Sequence, residues 1–229
     1  MLVHHDKTNI VRSHAIFKNL LTEETEKLVK SCTIFNYSRN KIIYNESNHI
    51  SGCYLIHEGT LKIYKTGYDG KEQIIRFAKP GDLIGFRSVL SNEPACTTAE
   101  TIQESILFFI PSDILIELFK MNGNFAMSLM RITCKELEEA NTYLTDVAQK
   151  TVRERLAEVL LHLYKDFGVD ESQFIRVSLT REELANIVGT ATESVIRLLS
   201  EFKDDNLISI SGRKINLLDI SKLSKLAGI

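Results

Sequence analysis

Two apolar stripes of helical period lie close together in the last third of the chain. Leu184, Ile187 and Val188 fall at i, i+3 and i+4, and Val195, Leu198, Leu199 and Phe202 repeat the pattern after a break at Gly189. Thr180 followed by Glu183 is a capping box, which satisfies free backbone donors, so the first helix is predicted to begin near Arg181. Small Ala185 stands where two helix backbones would cross, and Gly189 tolerates the positive φ that a tight turn needs. The segment 179–203 is therefore predicted to be a helix-turn-helix. Glu193 and Arg197 share the solvent side of its second helix.

From residue 32 to 111 the period shortens to that of strands. Seven segments, 32–37, 41–44, 53–59, 61–67, 72–78, 96–102 and 106–110, are rich in β-branched and aromatic residues and separated by turn formers. Gly67, Asp69 and Gly70 are the clearest hairpin signal. Many short strands at this spacing predict a jelly-roll or β-roll, a scaffold that can hold a small ligand. Before them, residues 17–31 contain a short amphipathic helix, with Thr22 expected as its N-cap and Leu28 and Val29 on its buried face.

After residue 111 the helical period returns. One helix is expected over 112–120 and an interruption at Asn122 and Gly123. A long helix over about 124–150 follows, with a seam of Ala126, Met130, Thr133, Leu137, Ala140, Leu144 and Val147. Those spacings alternate four and three, the pattern of a coiled coil, which points to a parallel homodimer. Phe125, Leu129 and Ile132 form a second edge able to pack on the roll. Helix is expected to continue over 153–164 with Leu156, Val159, Leu160 and Leu163 inward, followed by a polar loop over 168–174. Short strands at 207–210 and 214–218 around Ser211, Gly212 and Arg213 make a hairpin wing after the helix pair. The expected class is α+β, divided into a β-roll sensor (1–111), a linker and dimerisation helix (112–150) and a winged helix-turn-helix (151–229).

Composition narrows the chemistry. The chain of 229 residues is 44% hydrophobic, with a net charge of −2 and a pI near 6.3. A globally basic coat is excluded, so contact with nucleic acid must come from local charge. Cys32, Cys53, Cys96 and Cys134 form no CxxC pair and are expected as free thiols in a cytoplasmic protein. No apolar run approaches the roughly 18 residues of a membrane span, and no membrane partner is expected. His4 and His5 at the terminus are not expected to bind metal.

A β-roll also raises a metal-dependent enzyme, which would need a histidine and carboxylate cluster. His57 precedes Glu58 and Gly59 with no second histidine placed beside it in the sequence, and no catalytic constellation, P-loop or dinucleotide fingerprint is present. No catalytic and no metal residue is assigned. A small-molecule- or metal-binding β-roll whose C-terminal domain mediates protein contacts stays open as the alternative.

In a major groove arginine can donate to guanine O6 and N7, and a carboxylate can accept from cytosine N4. That gives Glu193 and Arg197 a base-reading role; the bland alternative is an ion pair between them, or a second capping box of Glu193 with Thr190. Arg213 and Lys214 at the wing tip are candidates for phosphate contact.

The β-roll, the seam helix and the run LTREELANIVGTATESVIRLLSEFKDDNLISISGRKI resemble regulators of the Crp/Fnr family over nearly the whole chain. The most specific parts are Gly189, Glu193 and the run 197–199, together with KPGDLIGFRSVL in the roll. The resemblance implies a transcription regulator with a cyclic-nucleotide-binding type roll. Its partners would be double-stranded DNA, a second copy of the chain and RNA polymerase. Glu193 and Arg197 would read the core of a TGA-like half-site, Arg181 would touch phosphate, Thr192 would hold the variable base-reading position, and Thr190 and Ser194 would flank them.

The departures from the family pattern concern the effector. cAMP-responsive members carry a glutamate after the cassette glycine and an arginine-serine pair for the phosphate. Here Gly85 is followed by Phe86 and Arg87, and the arginine-serine positions are Ala95 and Cys96. A buried phosphate left unpaired would be costly, so cAMP is not expected. No cysteine precedes Cys32, so an iron-sulfur cluster is not expected either. Another small effector, or none, remains.

Overall fold

Alternation along two central strands sorts the N-terminal core. The structure, a computed structural model, describes residues 7–229; His4 and His5 lie outside the described residues. The chain opens with α1 (Lys7–Ser13), a 3-10 turn (Ala15–Phe17) and α2 (Thr22–Ser31), and then runs through eight strands. These are β1 (Thr33–Tyr37), β2 (Ile42–Tyr44), β3 (Gly52–Glu58), β4 (Leu61–Thr66), β5 (Glu72–Ala78), β6 (Leu83–Ile84), β7 (Thr98–Thr101) and β8 (Ser105–Pro111), with α3 (Phe86–Ser91) before β7. They form two four-stranded sheets in the orders β1-β8-β3-β6 and β2-β7-β4-β5. In β3 and β8, Cys53, Leu55, Phe108 and Ile110 face the helices and join Phe17, Leu28, Leu115, Phe125 and Leu129. Ile56 and Leu107 face the other way and meet Tyr44, Leu61, Ile63 and Ala99 of the second sheet. This is the expected roll, with period-two alternation serving two cores.

Helix α4 (Ser112–Met121) leads to α5 (Gly123–Gln149), and Asn122 between them accepts the Phe125 N–H on its Oδ1 at 2.9 Å. Phe125 and Leu129 are each 1% exposed, so that edge of α5 packs as expected. The residues of the predicted seam stay open in the single chain: Met130, Leu137, Leu144 and Val147 are 52, 62, 66 and 43% exposed.

The C-terminal part consists of α6 (Val152–Phe167), α7 (Arg181–Val188), α8 (Thr192–Asp204), β9 (Ile208–Ser211), β10 (Lys214–Leu217) and α9 (Ile220–Ala227). Strands β9 and β10 pair antiparallel, with Ile215 opposite Ile210. Two compact units divide the chain. One runs to Lys65 and resumes over Ile75–Glu138; the other takes Thr66–Ile74 and Glu139–Ile229.

Several expectations need correction. Thr22 is the first residue of α2, not its cap, because Glu24 Oε2 accepts the Leu21 N–H at 2.7 Å and fixes the start one residue earlier. Helix does not continue from α5 into α6. Thr151 and Glu154 form a capping box there, with the Thr151 N–H donating to Glu154 Oε2 at 2.6 Å, and a new helix starts. The sequence reading also omitted α1, the 3-10 turn, β6, α3 and α9.

Candidate nucleic-acid interface

The helix pair is held at its start, its turn and its back. Thr180 Oγ1 accepts the Glu183 N–H at 3.0 Å while Glu183 Oε2 accepts the Thr180 N–H at 2.7 Å, so the predicted capping box starts α7. Gly189 has φ +73°, and a Cβ there would lie 3.1 Å from the Tyr143 hydroxyl. Both the Gly189 and the Thr190 N–H donate to the Ala185 carbonyl, at 2.9 and 3.1 Å, which closes the turn. Arg155 of α6 then fastens it, donating from Nε to the Val188 carbonyl at 3.0 Å and from Nη2 to that of Gly189 at 3.4 Å. Behind α8, Arg153 bonds Glu201 at 2.6 Å and Asp205 at 2.7 Å and lies 4.9 Å over the Phe202 ring.

These contacts fix which face of α8 looks out. Val195, Leu198, Leu199 and Phe202 are buried, while Glu193 and Arg197 are exposed and Thr190, Thr192 and Ser194 are half-buried. Ala191, not Thr190, is the N-cap of α8, and no side chain caps it, so the second capping box is not formed. Arg197 Nη1 bonds Glu201 Oε1 at 2.6 Å, so its ion pair points along the helix toward Glu201 and not back to Glu193. With its side chain two-thirds exposed, that bond is worth only a few tenths of a kcal/mol, about the value of an i,i+4 helix pair. It orients the guanidinium without committing it.

The basic groups near the wing are less free than the sequence suggests. Arg181 Nη2 donates to the Gly212 carbonyl at 3.0 Å, and Nη1 is buried with no acceptor among the described residues. Burial pulls its pKa down. Lys214 Nζ pairs with Asp170 at 2.9 Å and lies 5.9 Å over the Phe174 ring; its side chain and Arg213 remain exposed. Sequence reasoning had no signal for the Asp170 pair, which bridges 44 positions. It also passed over Ile196, which is 52% exposed on the outward face of α8. An apolar residue out of step with the buried stripe was the readable sign.

In the roll, Gly85 has φ +79°, a left-handed conformation that favours glycine, and a Cβ would come within 2.8 Å of Ile50 Cδ1. Phe86 does not line a cleft: it is 1% exposed, packed in the core that Cys53, Leu83 and Phe108 share. Arg87 Nε lies 3.2 Å from Glu136 Oε2, and Arg76 Nη2 bonds Glu136 Oε1 at 2.8 Å. Arg87 is thus already paired to a carboxylate of α5. Cys96 is exposed, 3.5 Å from Arg87 Nη2, and Ala95 is buried. Nearby, burial pushes the Tyr44 hydroxyl up to about 12. His57 does have a histidine beside it in space, with Nδ1 3.5 Å from His14 Nε2. Among the described residues no group of three or more His, Cys, Asp or Glu stands together to hold a metal ion. No helix described is long and apolar enough to cross a membrane.

Comparison with known proteins fits this geometry. Residues 34–122 match the cyclic nucleotide-binding domain family and residues 154–226 match the Crp-like helix-turn-helix domain family. The chain belongs to the Crp/Fnr family. It is 29% identical over 193 residues to the fumarate and nitrate reduction regulatory protein of Yersinia pestis, covering 83% of this chain and 76% of that one. Over 220 residues it is 27% identical to the CRP-like cAMP-activated global transcriptional regulator of Mycobacterium tuberculosis, covering 95% and 98%. Among solved structures, FixK2 from Bradyrhizobium japonicum superposes with a TM-score of 0.77 at 26% identity, covering 85% of this chain and 96% of that one. The family consists of transcription regulators, not enzymes, so the protein is a Crp/Fnr-type regulator with a helix-turn-helix DNA-binding domain.

Proposed function

We propose that the protein acts as a homodimer that reads a pseudo-palindromic DNA site with TGA-like half-sites. The observation that carries this is the outward stripe of α8, where Glu193 and Arg197 stand exposed on a helix whose opposite face is buried. Arg197 donates to guanine and Glu193 accepts from cytosine, exchanging the weak Glu201 pair for base contacts. Thr192 sits at the variable reading position, and Thr190 and Ser194 beside it meet the backbone or base edges. Arg213 and Lys214 give phosphate contacts that set register. Arg181, bonded to the Gly212 carbonyl, acts by holding the wing tip against α7. Two copies present their readers about one helical turn of DNA apart, joined through the α5 seam. In this division 1–111 senses, 112–150 joins the copies and 151–229 reads, with RNA polymerase as the downstream partner. An effector other than cAMP would act on the roll. The Arg87–Glu136 pair favours a second reading, in which the dimer binds its site with no effector.

Selection from random duplexes followed by gel shift tests the reading. A recurrent palindrome is expected; failure to select one at any salt overturns it. Arg197→Ala should weaken binding by about 1 to 3 kcal/mol and relax specificity at one base pair per half-site. An unchanged consensus would show the contact to be misassigned.

A further inference from the structure

We propose that Ile196 is a third base-reading residue of α8 and that it recognises the C5-methyl group of a thymine in each half-site. The inference rests on the DNA-reading role given above. At about 100° of turn per residue, Ile196 lies roughly 60° to one side of Glu193 and Arg197 roughly 40° to the other. The three side chains therefore form one contiguous outward strip, opposite Val195, Leu198, Leu199 and Phe202, which are at most 4% exposed. Ile196 itself is 52% exposed. Helix formation does not ask for isoleucine here, since a β-branched side chain loses rotamer freedom on a helix. A lone exposed apolar residue is ordinary on a protein surface; one set directly beside Glu193, on the flank away from Arg197, continues the base-reading strip and is not neutral there.

Its chemistry selects the base. Isoleucine offers no donor and no acceptor, so against guanine, cytosine or adenine edges it would cover polar groups without pairing them. Only thymine presents an apolar feature in the major groove, its methyl group. Contact there removes apolar surface from water on both partners, worth about fourfold in affinity per methyl at ~0.8 kcal/mol per group.

The test uses the full-length protein and the duplex it selects from random sequence. Each thymine of the half-site is replaced in turn by deoxyuridine, symmetrically, which removes the methyl and keeps the O4 acceptor. Binding is followed by fluorescence anisotropy at fixed salt. One thymine position is expected where the replacement weakens wild-type binding about fourfold per half-site. Ile196→Ser should bind the thymine and deoxyuridine duplexes equally, and Ile196→Val should keep a preference for thymine. If wild type selects a palindrome but binds every deoxyuridine copy as tightly as the parent, Ile196 reads nothing while the DNA-reading role stands. If Ile196→Ser retains the methyl preference, another side chain makes the contact and the proposal falls. If no duplex is selected, the role beneath it and the proposal fall together.

Discussion

His14 and His57 show how a single residue pair can make the roll sensitive to acid. Their rings meet edge to face, 5.8 Å between centroids, and His14 is held below its ordinary pKa first by burial and then by the His57 charge. Glu58 lies 4.0 Å from His57 Nε2, on the His57 side of the pair. A histidine depressed in the fold binds fewer protons folded than unfolded, so its contribution to stability is present above about pH 6.5 and is lost as the pH falls below it. The urea midpoint should therefore drop between pH 7.5 and 5.5. His14→Gln, which cannot take the charge, should flatten part of that slope. Parallel curves for wild type and variant would show that the pair carries no pH dependence.

At the level of elements, what sequence shows and what it hides divide by range. The stripes of α7 and α8, the Thr180–Glu183 box and the Gly189 turn are legible because each signal lies within a few residues. The same box occurs at Thr151 and Glu154, but no glycine or proline stands beside it to mark the break between α5 and α6. Two-residue β6 and six-residue α3 are too short to show a period. Partners distant in sequence leave no local trace: Glu136 with Arg87, Asp170 with Lys214 and His14 with His57 exist only once the chain is folded. The candidate site was therefore legible as positions, while its electrostatics were not. The Thr151 box gives the prediction at this scale. Thr151→Ala removes a cap whose loss costs about 1 kcal/mol. Faster amide hydrogen exchange over the first turn of α6 should follow, whereas Glu154→Gln, which leaves Thr151 in place and keeps an acceptor for its N–H, should retain most of the protection. Unchanged exchange in Thr151→Ala would mean that Arg155, bonded to the Lys150 carbonyl at 2.8 Å, holds the helix start instead.

At the scale of the whole molecule, a chain of net charge −2 must gather its DNA affinity from few cations, and doubling them is the direct way to do so. In the proposed dimer the α5 seam would supply the means. Met130, Leu137, Leu144 and Val147 are each more than two-fifths exposed in one chain, and burying a leucine of that kind against a second copy stabilises by about 1.5 to 3 kcal/mol. Leu137→Glu with Leu144→Glu would set four carboxylates along the shared seam and cost far more than the lost contacts, since unpaired charge cannot be buried there. Both sites face outward, so the fold of the single chain should survive with an unchanged far-UV circular dichroism spectrum, while its melt falls and loses its dependence on protein concentration. Sedimentation should then report a 26.0 kDa species in place of a dimer. On DNA the consequence is quantitative. Each phosphate contact contributes about 0.9 to the slope of log K against log salt, so a monomer on one half-site should show about half the wild-type slope, and its affinity for a palindrome should match that for an isolated half-site. A variant that still sediments as a dimer would place the joining surface elsewhere than the seam, and a wild type with no preference for the palindrome would remove the need for one.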